Sequence, residues 1–508
     1  MSRQLEEEAA RKAKLARFVE EGIDPFPDGF DRTHTLGALA PLSQAIMKTQ
    51  ASVRVAGRIR SFRTHGGLTF ATLEDASGRM QVAFRRDALG DDRYRFWTTT
   101  LDVGDFLGVA GTLFTTKRGE MTVDVARPTL LAKALLPLPE KWHGLTDVEV
   151  RYRKRYLDLI ANPEVRAVFL KRSRIVREIR AFLDAEGFLE VETPVLQPIS
   201  GGAAAKPFVT RSNALDQDLF LRIAPELYLK RLIVGGFEKV YEMARCFRNE
   251  GIDHAHNPEF TQVEFYWAYA DYEALMALTE RMLGALLVAV NGGSLTLVHE
   301  GTKLDFTPPI RRITFRDLLK DRTGIDINLA DTEAKLRTEI RDRNLHVDLA
   351  EAKGYAETVE ALYKARCRES IVEPTFLIDY PAAMIPLAKR RKDDPSKIAT
   401  FQLIAKGMEL CKAYNELNDP VDQARRFDEQ DELRSRGAAE AQETDADFIE
   451  ALSYGMPPTA GFGMGIDRLT VLLTGVHSIK ETILFPTLRS VTAARPTRPR
   501  RSPSKKRA

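Results

Sequence analysis

The stretch YEMARCFRNEGIDHAHNPEFTQVEFYWAYADY, Tyr241 to Tyr272, decides the fold. It reads as an antiparallel hairpin that gathers an arginine, several carboxylates, an Asn-Pro pair and aromatic rings, a set able to hold anions and a second polar ligand side by side. Far downstream, GFGMGIDR (Gly461 to Arg468) supplies its partner, with glycines that permit close backbone approach at a strand-to-helix junction. A Gly-x-Gly-x-Gly run also opens dinucleotide folds, but no acidic residue at the required offset closes a βαβ unit, and there is no GxxxxGK[ST] loop. A nucleotide bound here would lie on an antiparallel sheet.

Composition sets the outer limits. With 508 residues, 44% hydrophobic and 29% charged, the chain can build two or three domains with separate cores. No apolar run of about 18 residues exists, and Leu5 to Glu21 is studded with Glu, Arg and Lys, so neither a membrane span nor a secretory signal fits and a cytoplasmic enzyme is expected. Cys246, Cys367 and Cys411 lack CxxC spacing and read as buried thiols rather than disulfides or zinc ligands. Net charge is +3, yet residues 489–508 carry eight Lys or Arg and no acid, which leaves the rest of the chain acidic. That Pro- and Ser-rich tail cannot bury apolar surface and is expected to be disordered, either a solvated appendage or a weak, salt-sensitive phosphate contact.

An N-terminal helical extension (1–50) opens with an amphipathic helix over Leu5 to Glu21, closed by Gly22 and the Pro25/Pro27 turn. Five strand-like runs then alternate apolar with polar: Ser52–Phe62, Leu68–Glu74, Arg79–Arg86, Asp105–Thr116 and Glu120–Leu131, with a helix over Asp87–Thr100 between the third and fourth. Five strands with a helix in that slot suggest an OB-fold β-barrel over 51–134, a common reader of single-stranded nucleic acid. After a Pro-marked linker (135–150) the pattern becomes α+β, with a domain expected over 151–488. Asn162-Pro163-Glu164 starts a long helix whose face is Val165, Val168, Phe169, Val176, Ile179 and Leu183, ending at Gly187 before the strand FLEVETPVL, which breaks at Pro194.

These segments together resemble the lysine-charging class II aminoacyl-tRNA synthetases. The resemblance runs from about Arg11 to Thr487 and fails in the tail. It implies an α+β architecture: an N-terminal five-stranded OB-fold barrel and a class II synthetase catalytic domain with a helical insertion over Ile310 to Val372. It also implies activation of L-lysine by ATP with Mg2+, transfer of lysine to tRNA(Lys), and a homodimer whose interface includes GFLEVETP and Pro194. Two rival readings share the pocket: a paralogue that attaches lysine to a protein, which would lack the barrel, and a non-catalytic regulatory module.

Joining a carboxylate to ATP brings two anions together, which suits a fixed, planar guanidinium that bridges both with charge-assisted bonds. By resemblance Arg248 is that group, with Arg468 reaching the terminal phosphates and Gly465 in the same motif. Glu250, His256, Asn257 and Phe260 line the nucleotide, Glu250 on the adenine amino group and Phe260 stacking on its ring. The adjacent His254 has no matching role. A lysine pocket must supply counter-charge, because a buried unpaired ammonium is prohibitively costly. Gly202 and Glu226 are expected at the α-amine, and Glu264, Tyr266 and Glu416 at the ε-ammonium. Glu264 and Tyr266 share one strand face at i, i+2 spacing.

Three positions depart from the family pattern. Gln402 stands where an acidic residue is usual, which leaves Glu409 as the clearest magnesium ligand. Lys412 stands where an asparagine is usual, near the substrate carboxylate, and Ala255 where a phosphate-binding arginine is common. One carboxylate fewer and one ammonium more suggest that Lys412 offsets polyphosphate charge and that fewer magnesium ions are bound. In the barrel, Phe70, Gln81 and Glu120 match the positions that stack on and read the central uridine of a lysine anticodon, and Arg58 is a candidate contact to the RNA backbone. The spacing alone leaves open that Phe70 is a barrel-core residue and Gln81 an ordinary exposed one.

Overall fold

The computed structural model describes residues 2–139, 145–350, 352–435 and 443–490. Part of the linker and nearly all of the basic tail therefore lie outside the described residues. The chain forms two compact units, with main segments Met1–Asp147 and Pro163–Ala508.

In the first unit five strands form a closed barrel in the order Ser52–His65, Leu68–Glu74, Arg79–Arg85, Met121–Ala132, Phe106–Thr115, the last pairing back to the first. Alternation drives this: Val53, Val55, Leu73, Val82 and Phe84 point inward and are fully or nearly fully buried, while their neighbours face out. The helix expected over Asp87–Thr100 is instead two pieces, Arg86–Leu89 and Asp91–Thr100. Gly90 separates them at φ 79°, a left-handed conformation that ends the first piece. The N-terminal helix spans Ser2–Glu20, and Gly22 follows it at φ 69°. A second helix, Leu36–Thr49, seats Leu36 and Leu39 in the barrel's core.

The second unit is built on an eight-stranded mixed sheet in the order Arg311–Thr314, Thr375–Ile378, Thr400–Ala405, Met408–Asn415, Thr459–Gly465, Glu259–Ala268, Lys239–Phe247, Leu189–Glu190. The six inner strands run antiparallel and each edge strand pairs parallel. One face is covered by the helices Pro163–Ala185 and Tyr272–Val290, whose Ile175, Ile179, Leu183 and Leu275 share a core with Val263, Phe265, Phe462 and Met464. Asp271 caps the second helix by accepting from the Ala274 amide at 2.9 Å. Because strands alternate, burying residues 263, 265, 462 and 464 sends Gln262, Glu264, Tyr266, Gly461, Gly463 and Gly465 to the other face.

One expectation needs correction. FLEVETPVL contributes only Leu189–Glu190 to the large sheet, and the chain then leaves it, with Leu196–Gln197 joining a small three-stranded sheet. Pro194 has no amide to donate and restricts Thr193 before it, so the ladder cannot continue. The segment 310–372, expected to be mostly helical, opens with the edge strand Arg311–Thr314 and continues in the helices Phe315–Thr323, Glu333–Asp342 and Tyr355–Arg366, which share a core with Leu377 and Ile404. All three cysteines are buried free thiols, as expected.

Candidate active site

The outer face of the large sheet floors a cavity of about 530 Å3. Strand register brings its groups into rows. In one row Gln402, Lys412, Gly463 and Glu264 stand opposite one another across four strands. In the next, Tyr414, Gly461 and Tyr266 do the same. The three glycines of GFGMG thus form a strip without side chains, flanked by Lys412 and Tyr414 on one side and Glu264 and Tyr266 on the other. Their spacing follows from the pleat: Phe462 and Met464 fill the core while the glycines leave the opposite face open.

At one end of this floor three carboxylates converge. Glu226, at the start of the helix Glu226–Val234, and Glu416, just past the strand Met408–Asn415, are both ion-paired to Lys230, the Glu226 contact at 2.6 Å. Tyr414 donates its hydroxyl to Glu226 at 2.8 Å. Glu264 accepts from the Gln262 amide at 2.6 Å and lies 3.4 Å from the Tyr266 hydroxyl. Burial, with Glu226 and Glu416 nearby and Arg248 opposing, pushes the Glu264 carboxyl well above the usual range. Burial likewise lifts Glu416 to about 8, with Lys230 opposing and Glu226 reinforcing. Gly202, at φ 87°, adjoins these carboxyls, and a Cβ there would stand 3.0 Å from that of Glu226.

The other end is basic. Arg248 places its guanidinium 5.0 Å from the centre of the Phe260 ring, and its Nε is buried without a partner among the described residues, as is Asn257 Oδ1. Orphaned buried polar atoms of this kind point to a ligand. The Nδ2 of the same Asn257 amide donates to the Glu259 carbonyl at 2.6 Å. His256 joins Asp253, 2.9 Å from Nδ1, to Arg468, 3.1 Å from Nε2. Arginine can only donate, so Nε2 accepts and Nδ1 carries the proton toward Asp253. Burial works against the Asp253 carboxylate, but its hydrogen bonds from His256 and the Ala255 amide hold it below the usual range. Glu250, Glu409 and Lys412 also line the cavity. Among the described residues no side-chain hydrogen bond or ion pair occupies any of the three. His254 stacks on His477 at 6.2 Å.

All catalytic-domain candidates from the sequence except the interface residue Pro194 therefore meet in one cavity, with a cationic end and an acidic end. Lys230, Asp253, Gln262, Tyr414 and Gly461 were missed. Glu226 and Lys230 at i, i+4 look like a solvated helix pair, and Gly461 looks like one glycine among several. Only the acidic company of Glu264 and Glu416 hinted that more counter-charge was needed.

In the barrel, Phe70 and Gln81 lie on outward-facing positions of adjacent strands, so Phe70 is half-buried surface rather than core. Gln81 donates to Glu120 at 2.8 Å and accepts from Thr122 at 2.9 Å, which fixes its amide orientation. Arg58 lies over Phe106 at 4.2 Å and donates to the Gly104 carbonyl at 3.0 Å.

Residues 147–489 match the family described as tRNA synthetases class II (D, K and N), and residues 53–131 match the OB-fold nucleic acid binding domain. The chain is 49% identical to the lysine--tRNA ligase of Syntrophomonas wolfei subsp. wolfei over 94% of its length and 96% of that protein. It is 51% identical to the lysine--tRNA ligase of Roseiflexus castenholzii, over 94% and 98%, and 48% identical to that of Carboxydothermus hydrogenoformans, over 94% and 97%. The chain belongs to the class II lysyl-tRNA synthetases. The fold expected from the sequence, an OB barrel followed by a class II catalytic domain, is therefore the fold of this synthetase.

One glycine of the synthetase motif is fixed by the acidic end. A Cβ on Gly461 would lie 2.0 Å from Glu416 Oε1 and 2.6 Å from Tyr266 Cε1. In Gly461→Ala one of them must move, and overpacking of about 1–3 kcal/mol is expected to raise the KM for lysine about tenfold to a hundredfold while sparing the KM for ATP. Pyrophosphate-exchange kinetics would check this. An unchanged lysine KM would mean that Glu416 does not bound the ligand.

Proposed function

We propose that this synthetase activates L-lysine with ATP and transfers the lysyl group to the 3′ end of tRNA(Lys), with the carboxylate-lined end of the cavity holding lysine and the cationic end holding ATP. The observation that carries this is the convergence of buried Glu226, Glu264 and Glu416 a few residues across a glycine floor from Arg248 and Arg468. Glu264, Tyr266 and Glu416 bind the ε-ammonium, and Glu226 with the Gly202 carbonyl binds the α-amine. Arg248 holds the lysine carboxylate against the α-phosphate. Phe260, Glu250, His256 and Asn257 take the adenine nucleotide, and Arg468, oriented through His256 and Asp253, takes the terminal phosphates.

A lysine carboxylate oxygen attacks the α-phosphorus in line, the bond to the β-phosphate oxygen breaks, and pyrophosphate leaves. The terminal ribose hydroxyl of the tRNA then attacks the adenylate carbonyl and AMP departs. No residue forms a covalent bond to substrate; positioning and charge do the work.

The donor set fits a magnesium ion anchored by Glu409 and otherwise by phosphate oxygens and water, rather than an all-protein cage. When bound, Mg2+ would offset phosphate charge. The Gln402 side-chain oxygen accepts from the buried Tyr380 hydroxyl at 2.6 Å, so that oxygen is already engaged within the protein. Lys412, beside Glu409 in the cavity, supplies fixed positive charge of its own. We further propose the domain division 51–134 and 151–488 and a homodimer in the cytoplasm. Exposed Pro194, Val195 and Leu196 support a second copy packing there, and among the described residues no helix is long and apolar enough to cross a membrane. The helices of 315–366 frame the tRNA acceptor end.

The deciding experiment is lysine-dependent ATP–pyrophosphate exchange followed by charging of tRNA(Lys). Both reactions are expected. Exchange without charging would favour a protein-lysylating paralogue, and neither reaction would favour a binding module. Anticodon reading by the barrel separates in the same assays: Gln81→Ala with Glu120→Ala is expected to cost about tenfold to a hundredfold in charging, from lost base-edge hydrogen bonds, while exchange is retained. Equal loss of both reactions would contradict the assignment.

A further inference from the structure

Lys230 has no part in the reaction as described, yet its side chain is 0% exposed and it sits at the acidic end of the active site. Its ammonium lies 2.6 Å from Glu226 Oε1, is ion-paired to Glu416, and lies 5.8 Å from the ring centres of both Tyr414 and Phe448. Burying an ammonium is expensive, and a helix position facing the Tyr414 and Phe448 rings would be filled more cheaply by leucine or methionine. A charge kept at such a place calls for a reason beyond packing.

The charges that face it supply one. With lysine in place, ionised Glu226, Glu264 and Glu416 bring three negative charges to this end, and Lys230 cancels one. Tyr266 and Tyr414 are neutral, Glu242 beyond Glu264 is already paired with Arg222 at 2.5 Å, and Arg248 lies toward the phosphate end. Two negative charges remain. L-Lysine carries two ammonium groups, and its carboxylate is matched by Arg248. Without Lys230 the same three carboxylates would exceed the substrate's positive charge by one, and Glu226 and Glu416, now bridged by one nitrogen, would face each other as like charges.

We propose that Lys230 is a specificity-determining positioning residue: its ammonium reduces the pocket's charge to that of two amines and pins Glu226 and Glu416 in the places from which they receive them. It acts through the two glutamates and does not touch the reacting atoms. This deepens the reading of the cavity as a lysine site and rests on it.

The test uses the full chain in lysine-dependent pyrophosphate exchange, comparing wild type, Lys230→Met, Glu226→Gln and the double variant. Methionine keeps length and removes charge. Lys230→Met is expected to raise the lysine KM about a hundredfold or more with the ATP KM changed less than about threefold, as for one partner lost from a buried charge cluster. Adding Glu226→Gln removes the surplus negative charge, so the double variant is expected to regain about tenfold in lysine KM over Lys230→Met. A purely structural lysine would show no such recovery, since the second change deletes a further interaction. A lysine KM for Lys230→Met within about threefold of wild type, or a double variant no better than the single, would overturn the proposal. If Lys230→Met does not fold, the double variant is compared with Glu226→Gln alone: agreement within about tenfold supports charge balance, and a hundredfold deficit overturns it. Wild-type chain that shows no lysine-dependent exchange would instead sink the pocket reading.

Discussion

Arg248→Ala is expected to abolish activation, lowering kcat for lysine-dependent pyrophosphate exchange by about 10³-fold or more while the protein stays folded. The side chain lies among ligand-facing groups, its Nε without a partner among the described residues, and it is held by a 3.5 Å contact from Nη2 to the Ile223 carbonyl and by the Phe260 ring, so the fold asks little of it. Its charge is needed when the lysine carboxylate and the α-phosphate are forced together. Removing one preorganised donor at such a point costs about 10²–10³ in rate, and a guanidinium offers several donors at once. Arg248→Lys should restore only part of the rate, because a point charge cannot bridge two oxygens in a plane. Stopped-flow measurement of adenylate formation separates this from weakened binding. An alanine variant within tenfold of wild type would place the reacting anions elsewhere.

Glu264→Gln should produce the second large effect, in specificity. It is isosteric and can still meet Tyr266 and Gln262, but it removes the buried negative charge proposed to receive the ε-ammonium. The expected loss in kcat/KM for lysine is about 10³-fold, the scale of truncating one partner of a buried charge pair, with ATP binding retained. A pH dependence accompanies it. Burial in the empty pocket raises the Glu416 carboxyl from its ordinary 4.5 to about 8, with Lys230 opposing. Between these values the folded chain binds more protons than the unfolded one, so this group makes stability fall as pH rises through the window, and the cost is complete above about 8. Lysine reverses that cost by bringing an ammonium. Its affinity should therefore rise with pH, by up to about tenfold per unit from one released proton, and level off above about 8. Thermal shifts with lysine should grow over the same range. A lysine affinity flat between pH 6 and 8 would mean that Glu416 is already ionised in the free enzyme.

The parts of this structure written in periodicity were readable in advance. The strand Leu68–Glu74 alternates strictly, and its bounds coincide with those expected. The helix Pro163–Ala185 likewise announces itself through its punctuation. What pattern could not show was context. Gly90 splits a helix that periodicity runs through, and FLEVETPVL has strand composition but loses its partner after Glu190. The active site divides the same way. Arg248, Glu264 and Arg468 stand in motifs whose residue types declare a chemistry. Lys230 and Gly461 matter because of what lies within a few ångströms across the fold, from Glu416 in both cases, and nothing local in the chain reports that distance.

The most direct test compares L-lysine with L-norleucine, which matches most of its shape and lacks only the ε-ammonium, in pyrophosphate exchange by the wild-type chain. If buried carboxylates select the substrate, norleucine leaves them without a cation, and its kcat/KM should fall below that of lysine by about 10⁴-fold. Comparable exchange with both amino acids would contradict the account, because the acidic end would then play no part in choosing what the enzyme activates.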